Sequence, residues 1–232
     1  MIDLHSHVLP CVDDGSPGVK QSVQMLNEAK ESGVTEMTLT PHYRRGTCTI
    51  SNEKIRAEFE KFKSLPEVEQ TGVKLWLGRE IETHRAMISD FEKGDVIPLG
   101  KGKCVLVELR YSEPVDLDEL VYNVKLAGFT PVFAHVERFS YTRDIKLIKQ
   151  LKISGAIIQV NAQSVVDRGR GKEYSFAKKL VRKKLADVIA SDVHYGRQNR
   201  MREAYLKVSK KSPAYAELVF KTNPEKILNG NY

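Results

Sequence analysis

Residues 2–15 read IDLHSHVLPCVDDG, and the first four of them set a pattern that the rest of the chain repeats. Ile2 to His5 is a short apolar run ending in an ionisable residue, and His7 follows two places on. Residues i and i+2 of a strand point to the same side, so His5 and His7 present a chelating pair while Ser6 faces away. Six further apolar, β-branched runs follow: EMTLT (36–40), VKLWLG (73–78), CVLVEL (104–109), TPVFAH (130–135), AIIQVN (156–161) and DVIASD (187–192). Polar loops and helical patterns separate them. Seven strand–helix alternations with buried strands predict an α/β fold with parallel pairing, either closed as a barrel or open and doubly wound.

The helical stretches carry their own punctuation. Ser16-Pro17 reads as N-cap and first helical position, with Gly33 past the end of that helix. Ser51 opens a helix in which Ile55, Phe59 and Phe62 share one buried face. Asp116 or Asp118 opens the helix that stops before Gly128, and Asn223-Pro224 reads as a cap and first turn near the C-terminus. No repeat or Pro/Gly-rich linker interrupts the 232 residues, so they are read as one domain, 1–232.

Hydrophobic residues make up 41% and charged residues 29%, the balance of a soluble globular protein. No apolar run approaches the ~20 residues needed to cross a bilayer. The opening residues lack the basic flank and apolar core of a signal peptide, so a cytoplasmic location is expected. Cys11, Cys48 and Cys104 are too few and too scattered for a disulfide framework. A formal charge of +7 suits anionic partners such as phosphorylated ligands, nucleic acid or acidic lipid. The basic run KKLVRKK, Lys178 to Lys184, reads as a solvated helix face. No nucleic-acid module and no aromatic–basic stripe accompanies it.

Ionisable residues fall at the ends of the runs. His5 and His7 straddle the first, His42 follows the second, Glu80 follows the third and Glu108 ends the fourth. His135 closes the fifth, and Asp192 and His194 close the seventh; only His84 lies clearly past a run. Parallel strands bring those ends to one face, where catalytic residues collect. A lone strand-end histidine or carboxylate is usually a hydrogen-bonding or capping residue. Eight or nine together are costly unless divalent cations compensate them. Mixed imidazole and carboxylate donors without thiolates suit zinc, manganese or iron(II), and their number implies two or three ions. Histidine ligates only when neutral, so binding weakens in acid. Asp13 and Asp14 are both available after the His pair, and spacing does not separate them.

These motifs taken in order, IDLHSHVLPCVDDG, TPHYR, GREIE, VELR, AHVERF and ASDVH, resemble the polymerase-and-histidinol-phosphatase (PHP) metallohydrolases over essentially the whole chain. Within that family they closely resemble one branch, the manganese-dependent protein-tyrosine phosphatases of bacterial capsular and exopolysaccharide systems. It implies a distorted seven-stranded (β/α) barrel. It implies one ion on His5, His7, Glu80 and Asp192, and a second sharing Glu80 and adding Glu108 and His135. A third would take Asp14, His42 and His194, leaving Asp13 as a loop or cap residue. Arg138 matches the family's phosphate-binding arginine. Arg197 matches a second, although its loop from His194 is shorter than the family's. Asn161 could orient a ligand but is read as structural.

The implied chemistry is hydrolysis of a phosphotyrosine monoester by a metal-acidified water, with Arg138 stabilising the spreading charge and His42 available as proton donor. Manganese is the expected metal, with iron, zinc or magnesium as substitutes, and the tail of a bacterial tyrosine kinase is the implied partner. The rival chemistry, a cysteine nucleophile in a Cys-x5-Arg loop, has one match, CVLVELR from Cys104 to Arg110. It lacks the glycines that let backbone amides cradle an anion, and is read as coincidence. A small-molecule phosphatase acting on histidinol phosphate, and a non-catalytic metal-binding module, are the competing readings.

Overall fold

The computed structural model describes residues 1–111, 114–167, 169 and 171–232. Its strand segments fall within or directly after the seven runs: β1 (Ile2–Ser6), β2 (Glu36–Leu39), β3 (His42–Tyr43), β4 (Lys74–Leu77), β5 (Glu80–Glu82), β6 (Cys104–Glu108), β7 (Thr130–Phe133), β8 (Ile157–Asn161) and β9 (Val188–Ala190). Every pairing between them is parallel, in the orders β1-β2-β4 and β3-β5-β6-β7-β8-β9. The chain just beyond β9 meets β1: the amide of Asp192 donates to His5 O at 2.9 Å, and that of His7 to Val193 O at 3.0 Å.

The second and third runs are each followed, after a break, by a further short strand, which the apolar pattern did not indicate. Between β2 and β3 lies Pro41, which has no N–H for the ladder. Between β4 and β5 lies Gly78, where an added Cβ would come within 2.7 Å of Leu99 Cδ2 and force that side chain to shift. The breaks matter to the site, because β3 and β5 then pair with His42 directly opposite Glu80.

Both faces of the strands are buried, as parallel sheets require. On β6, Cys104 and Leu106 join a small cluster with Ile2, Leu4, Val132, Ile157 and Val188, closed off by Ile227 and Leu228. Val105 and Val107 point the other way, into the larger core shared with helix residues such as Val121, Val124, Ile148 and Leu151. The helix Asn52–Lys63 buries Ile55, Phe59 and Phe62 as expected, and Ser51 Oγ caps it by accepting from the Lys54 amide. Asp116, not Asp118, caps the helix Leu117–Leu126.

Two expected helix starts are corrected. The first helix begins at Val19 after Gly18; Ser16 instead donates its hydroxyl to Gly18 O at 3.0 Å. Asn223 is no cap either, because the chain is already helical from Pro213 through a π turn at Leu218–Thr222. Its side chain is spent inside the fold, donating to Asp187 O at 2.9 Å. The basic run lies on the helix Lys172–Arg182 and the turn after it. Leu180 faces the core, while Arg182, Lys183 and Lys184 are exposed.

Candidate metal centre

The strand ends converge. His5 Nε2 and His7 Nε2 lie 3.1 Å apart, and both rings are fully buried. Glu80 Oε2 is 3.3 Å from each, and Asp192 Oδ1 is 3.4 Å from each. Ser6 points away as expected and donates to Thr38 O at 2.8 Å.

Proton bookkeeping on these rings leaves lone pairs facing one another. His7 Nδ1 donates to Asp13 Oδ2 at 2.8 Å, since an ionised carboxylate only accepts. His5 Nδ1 faces Gln159 Oε1 at 3.3 Å, and that oxygen also accepts from the His135 amide at 2.7 Å. With each ring neutral, the two Nε2 atoms are therefore bare acceptors aimed at two carboxylate oxygens. Among the described residues, Glu80 Oε2 and Asp192 Oδ1 have no hydrogen-bond partner, and neither do buried His42 Nδ1 and His135 Nδ1. His42 Nδ1 even sits 2.7 Å from Glu80 Oε2 outside hydrogen-bond geometry. Buried acceptors packed this closely repel unless something positive lies among them. A tetrahedral ion with ligands at ~2.1 Å sets them about 3.4 Å apart, so a small divalent cation fits this donor set.

The other expected ligands lie around this quartet. His135 Nε2 is 2.9 Å from Glu80 Oε1 and 3.9 Å from Glu108 Oε1. Asp14 Oδ1 is 3.4 Å from His42 Nε2 and 3.5 Å from His194 Nε2. His194 Nδ1 gives its proton to Asp192 O at 3.1 Å, which leaves Nε2 bare. Among the described residues, donor atoms close enough to share an ion form four overlapping groups: His5-His7-Glu80, His5-His135-Asp192, His42-Glu80-Glu108 and His7-Asp14-His42-His194. All nine residues named from the sequence take part. His84 does not; it bonds to Glu82 O and Asp90.

Electrostatics tie the groups together. Burial opposes charge on Glu80 and Asp192, yet the neighbouring His5 and other imidazoles hold both carboxylates well below their ordinary range. Burial likewise disfavours imidazolium at His5 and His7, but the facing carboxylates overcome it and push both rings upward, His7 far upward. In the ion-free protein, protons on these rings balance the acids, and a bound cation would displace them. Burial, aided by His7, lowers His194 to about 4, so that ring is neutral at pH 7.

Several supporting residues escaped the sequence reading. Asp13 is no loose cap: besides His7, it accepts from the amides of His42 and Gly15, both at 3.0 Å. Asn161, read from the sequence as structural, donates to Asp192 Oδ2 at 2.8 Å and accepts from Gln159 Nε2 at 2.8 Å, so it holds a carboxylate of the cluster in place. Arg44 grips both Glu108 oxygens, at 2.9 and 3.0 Å. Asp3, fully buried, accepts from the Ser191 amide at 2.9 Å and fixes the chain beside Asp192, whose φ of 53° is left-handed. A histidine pair that must show bare Nε2 atoms needs acceptors behind its Nδ1 atoms, and that requirement was the available signal for Asp13 and Gln159.

A cleft of about 560 Å³ opens over the cluster, bordered by Asp14, His42, Arg44, Arg138 and Arg197. Arg138 donates to Asp192 Oδ2 at 3.2 Å, and Arg197 is exposed at the rim. The Cys-x5-Arg match has no such setting. Cys104 is buried in the apolar cluster, where burial pushes its thiol up to about 11, and Arg110 pairs with Glu82 at 3.0 Å.

This fold is that of the barrel-like metallohydrolases. The chain belongs to the CpsB/CapC family of capsular polysaccharide synthesis, which matches residues 1–229. It is 30% identical to the tyrosine-protein phosphatase CpsB of Streptococcus pneumoniae over 98% of both chains. It is 27% identical to a putative tyrosine-protein phosphatase, CapC, of Staphylococcus aureus, over 84% of this chain and 77% of that one. Among solved structures, a chain from the work on YwqE of Bacillus subtilis and CpsB of S. pneumoniae, described as unique metal-dependent tyrosine phosphatases, superimposes with a TM-score of 0.91. That match has 26% identity and covers 100% of this chain and 96% of the other.

Proposed function

We propose that this chain is a metal-dependent protein-tyrosine phosphatase. The observation that carries the reading is the quartet of His5, His7, Glu80 and Asp192, four buried side chains with unshared acceptor atoms 3.1–3.4 Å from one another in every measured imidazole pairing. The names of the family relatives support the phosphotyrosine substrate.

In this reading His5, His7, Asp14, His42, Glu80, Glu108, His135, Asp192 and His194 hold two or three divalent ions, manganese foremost and iron, zinc or magnesium as substitutes. Such ions supply Lewis acidity to phosphoryl oxygens and make hydroxide available near neutral pH. The chain's own residues do the rest. Arg138 lines the cleft beside Asp192 and offers a planar pair of donors to phosphoryl oxygens. Arg197 adds a second cation at the rim. His42 serves as a ligand, and any proton it gives the leaving oxygen comes from the ring nitrogen not engaged with an ion. A tyrosyl leaving group, with a parent pKa of ~10, needs little such help. The substrate we assign is the phosphorylated tail of a bacterial tyrosine kinase, met in the cytoplasm. No helix among the described residues is long and apolar enough to cross a membrane.

The test is metal content measured beside phosphate release from a phosphotyrosyl peptide, before chelation, after it, and after manganese, iron, zinc or magnesium is returned. Release should vanish with the ions and return with them. Undiminished turnover by metal-stripped protein would overturn the reading.

A further inference from the structure

The cleft that would take the phosphate is lined mostly by charged and polar residues. Among its described lining residues Leu109 and Tyr111 are the hydrophobic ones, and Leu109 is buried. Arginines and cations bind a phosphoryl group whatever carries it, so they do not tell an aryl from an alkyl ester. That discrimination needs an apolar surface beside the phosphate.

Tyr111 supplies one. The residue is 60% exposed, and it borders both the main cleft and an adjoining one of about 350 Å³. Behind it stands Phe139, fully buried, with ring centroids 4.7 Å apart. The Arg138 guanidinium carbon lies 6.0 Å from the Tyr111 centroid. The backbone leading to it is held as well: Arg110 O accepts from Tyr141 Oη at 2.8 Å, and the Arg110 side chain is pinned to Glu82. A ring braced on one side, bare on the other and adjacent to the phosphate-facing arginine is placed to stack on a second ring. Offset aromatic pairs form at centroid separations of ~4.5–7 Å.

We infer that Tyr111 is the specificity-determining wall of the cleft, packing against the phenyl ring of the substrate and favouring aryl over alkyl phosphates. The inference rests on the phosphatase reading above and deepens it.

Two phosphonates separate the ring from the phosphate without any bond being broken. Binding of benzylphosphonate and of methylphosphonate to the ion-loaded protein is measured by calorimetry, for wild type, Tyr111→Ala and Tyr111→Phe. Tyr111→Ala should weaken benzylphosphonate about tenfold and methylphosphonate less than twofold, and Tyr111→Phe should restore the preference. The same variants on a phosphotyrosyl peptide should show the loss in KM more than in kcat. Equal weakening of both phosphonates, which a merely structural role would give, overturns the inference, and so does an unchanged ratio. Failure of the wild type to hydrolyse the peptide at all strikes the phosphatase reading instead, and the binding ratio still decides Tyr111.

Discussion

Strand β6 has two ends four residues apart, Cys104 and Glu108, whose side chains share one face. Both are buried, and burial raises the pKa of each. At Cys104 nothing answers that rise: its neighbours are Leu106, Val132 and other apolar residues, and the group stays neutral. At Glu108 the neighbouring Glu80 raises it further, but His135, His42 and Arg44 pull against both. Desolvation is common to the two ends, and the partners differ. A buried ionisable group becomes chemistry only where other buried groups converge on it.

The hardest blow to the converging end is His7→Ala. His7 takes part in two of the four donor groups found among the described residues, and its loss leaves Asp192 without one of the rings that offset its burial and removes the ring 3.3 Å from Glu80 Oε2. Ion content should drop and phosphate release should fall to background, measured together by elemental analysis and a phosphotyrosyl-peptide assay. Full activity in this variant would mean that the convergence is not the active centre.

How much of this could be read beforehand follows from range. Apolar runs of four to six residues are local, so all seven strand positions were legible, and with parallel pairing their ends had to meet. Eight of the nine candidate donors were legible for the same reason, whereas Asp14 was separated from Asp13 only by the family resemblance. What stayed hidden depended on contacts between distant segments. Asp13 looks like a turn residue until His7 and His42 close around it. Gln159 sits mid-strand in an apolar run, and only the fold turns it toward His5 and the His135 amide. Arg44 reads as surface charge until Glu108, 64 residues on, comes to meet it. The breaks at Pro41 and Gly78 were visible as residue types, but their effect depended on Glu80 being carried opposite His42. Helix starts were misread where tertiary packing overrode a local cap, as at Ser16 and Asn223.

Asp13 sharpens the comparison by changing a partner instead of a donor. Asp13→Asn keeps the shape but replaces the acceptor behind His7 with a neutral amide. Loss of such an outer partner typically costs about 10–100-fold in metal affinity, to be read by competition with a chelating dye at pH 8. The pH dependence has a definite sign. Asp13 helps hold His7 above its ordinary pKa, and protons on His7 compete with the ion. In the wild type, affinity therefore falls as pH drops through that raised value. In the variant the fall should begin at a lower pH, although the plateau is lower too. A plateau equal to wild type would reduce Asp13 to the loop residue it resembles in sequence.

The smallest effect belongs to the other end of β6. Cys104→Ser swaps a weakly polar thiol for a hydroxyl in an apolar cluster, where an unanswered hydroxyl costs ~1–3 kcal/mol. At ~2–4 °C per kcal/mol for a chain of this size, the melting temperature should drop by several degrees. Ion content and kcat on a phosphotyrosyl peptide, measured well below that melting point, should stay within about twofold of wild type. A cysteine nucleophile would behave in the opposite way, with stability nearly kept and turnover gone. Because the thiol is raised to about 11 by burial and Arg110 is occupied by Glu82, the geometry gives that outcome no footing. Loss of turnover with ions still bound would show that the apolar end of the strand takes part in the reaction after all, and the contrast between the two ends would fall.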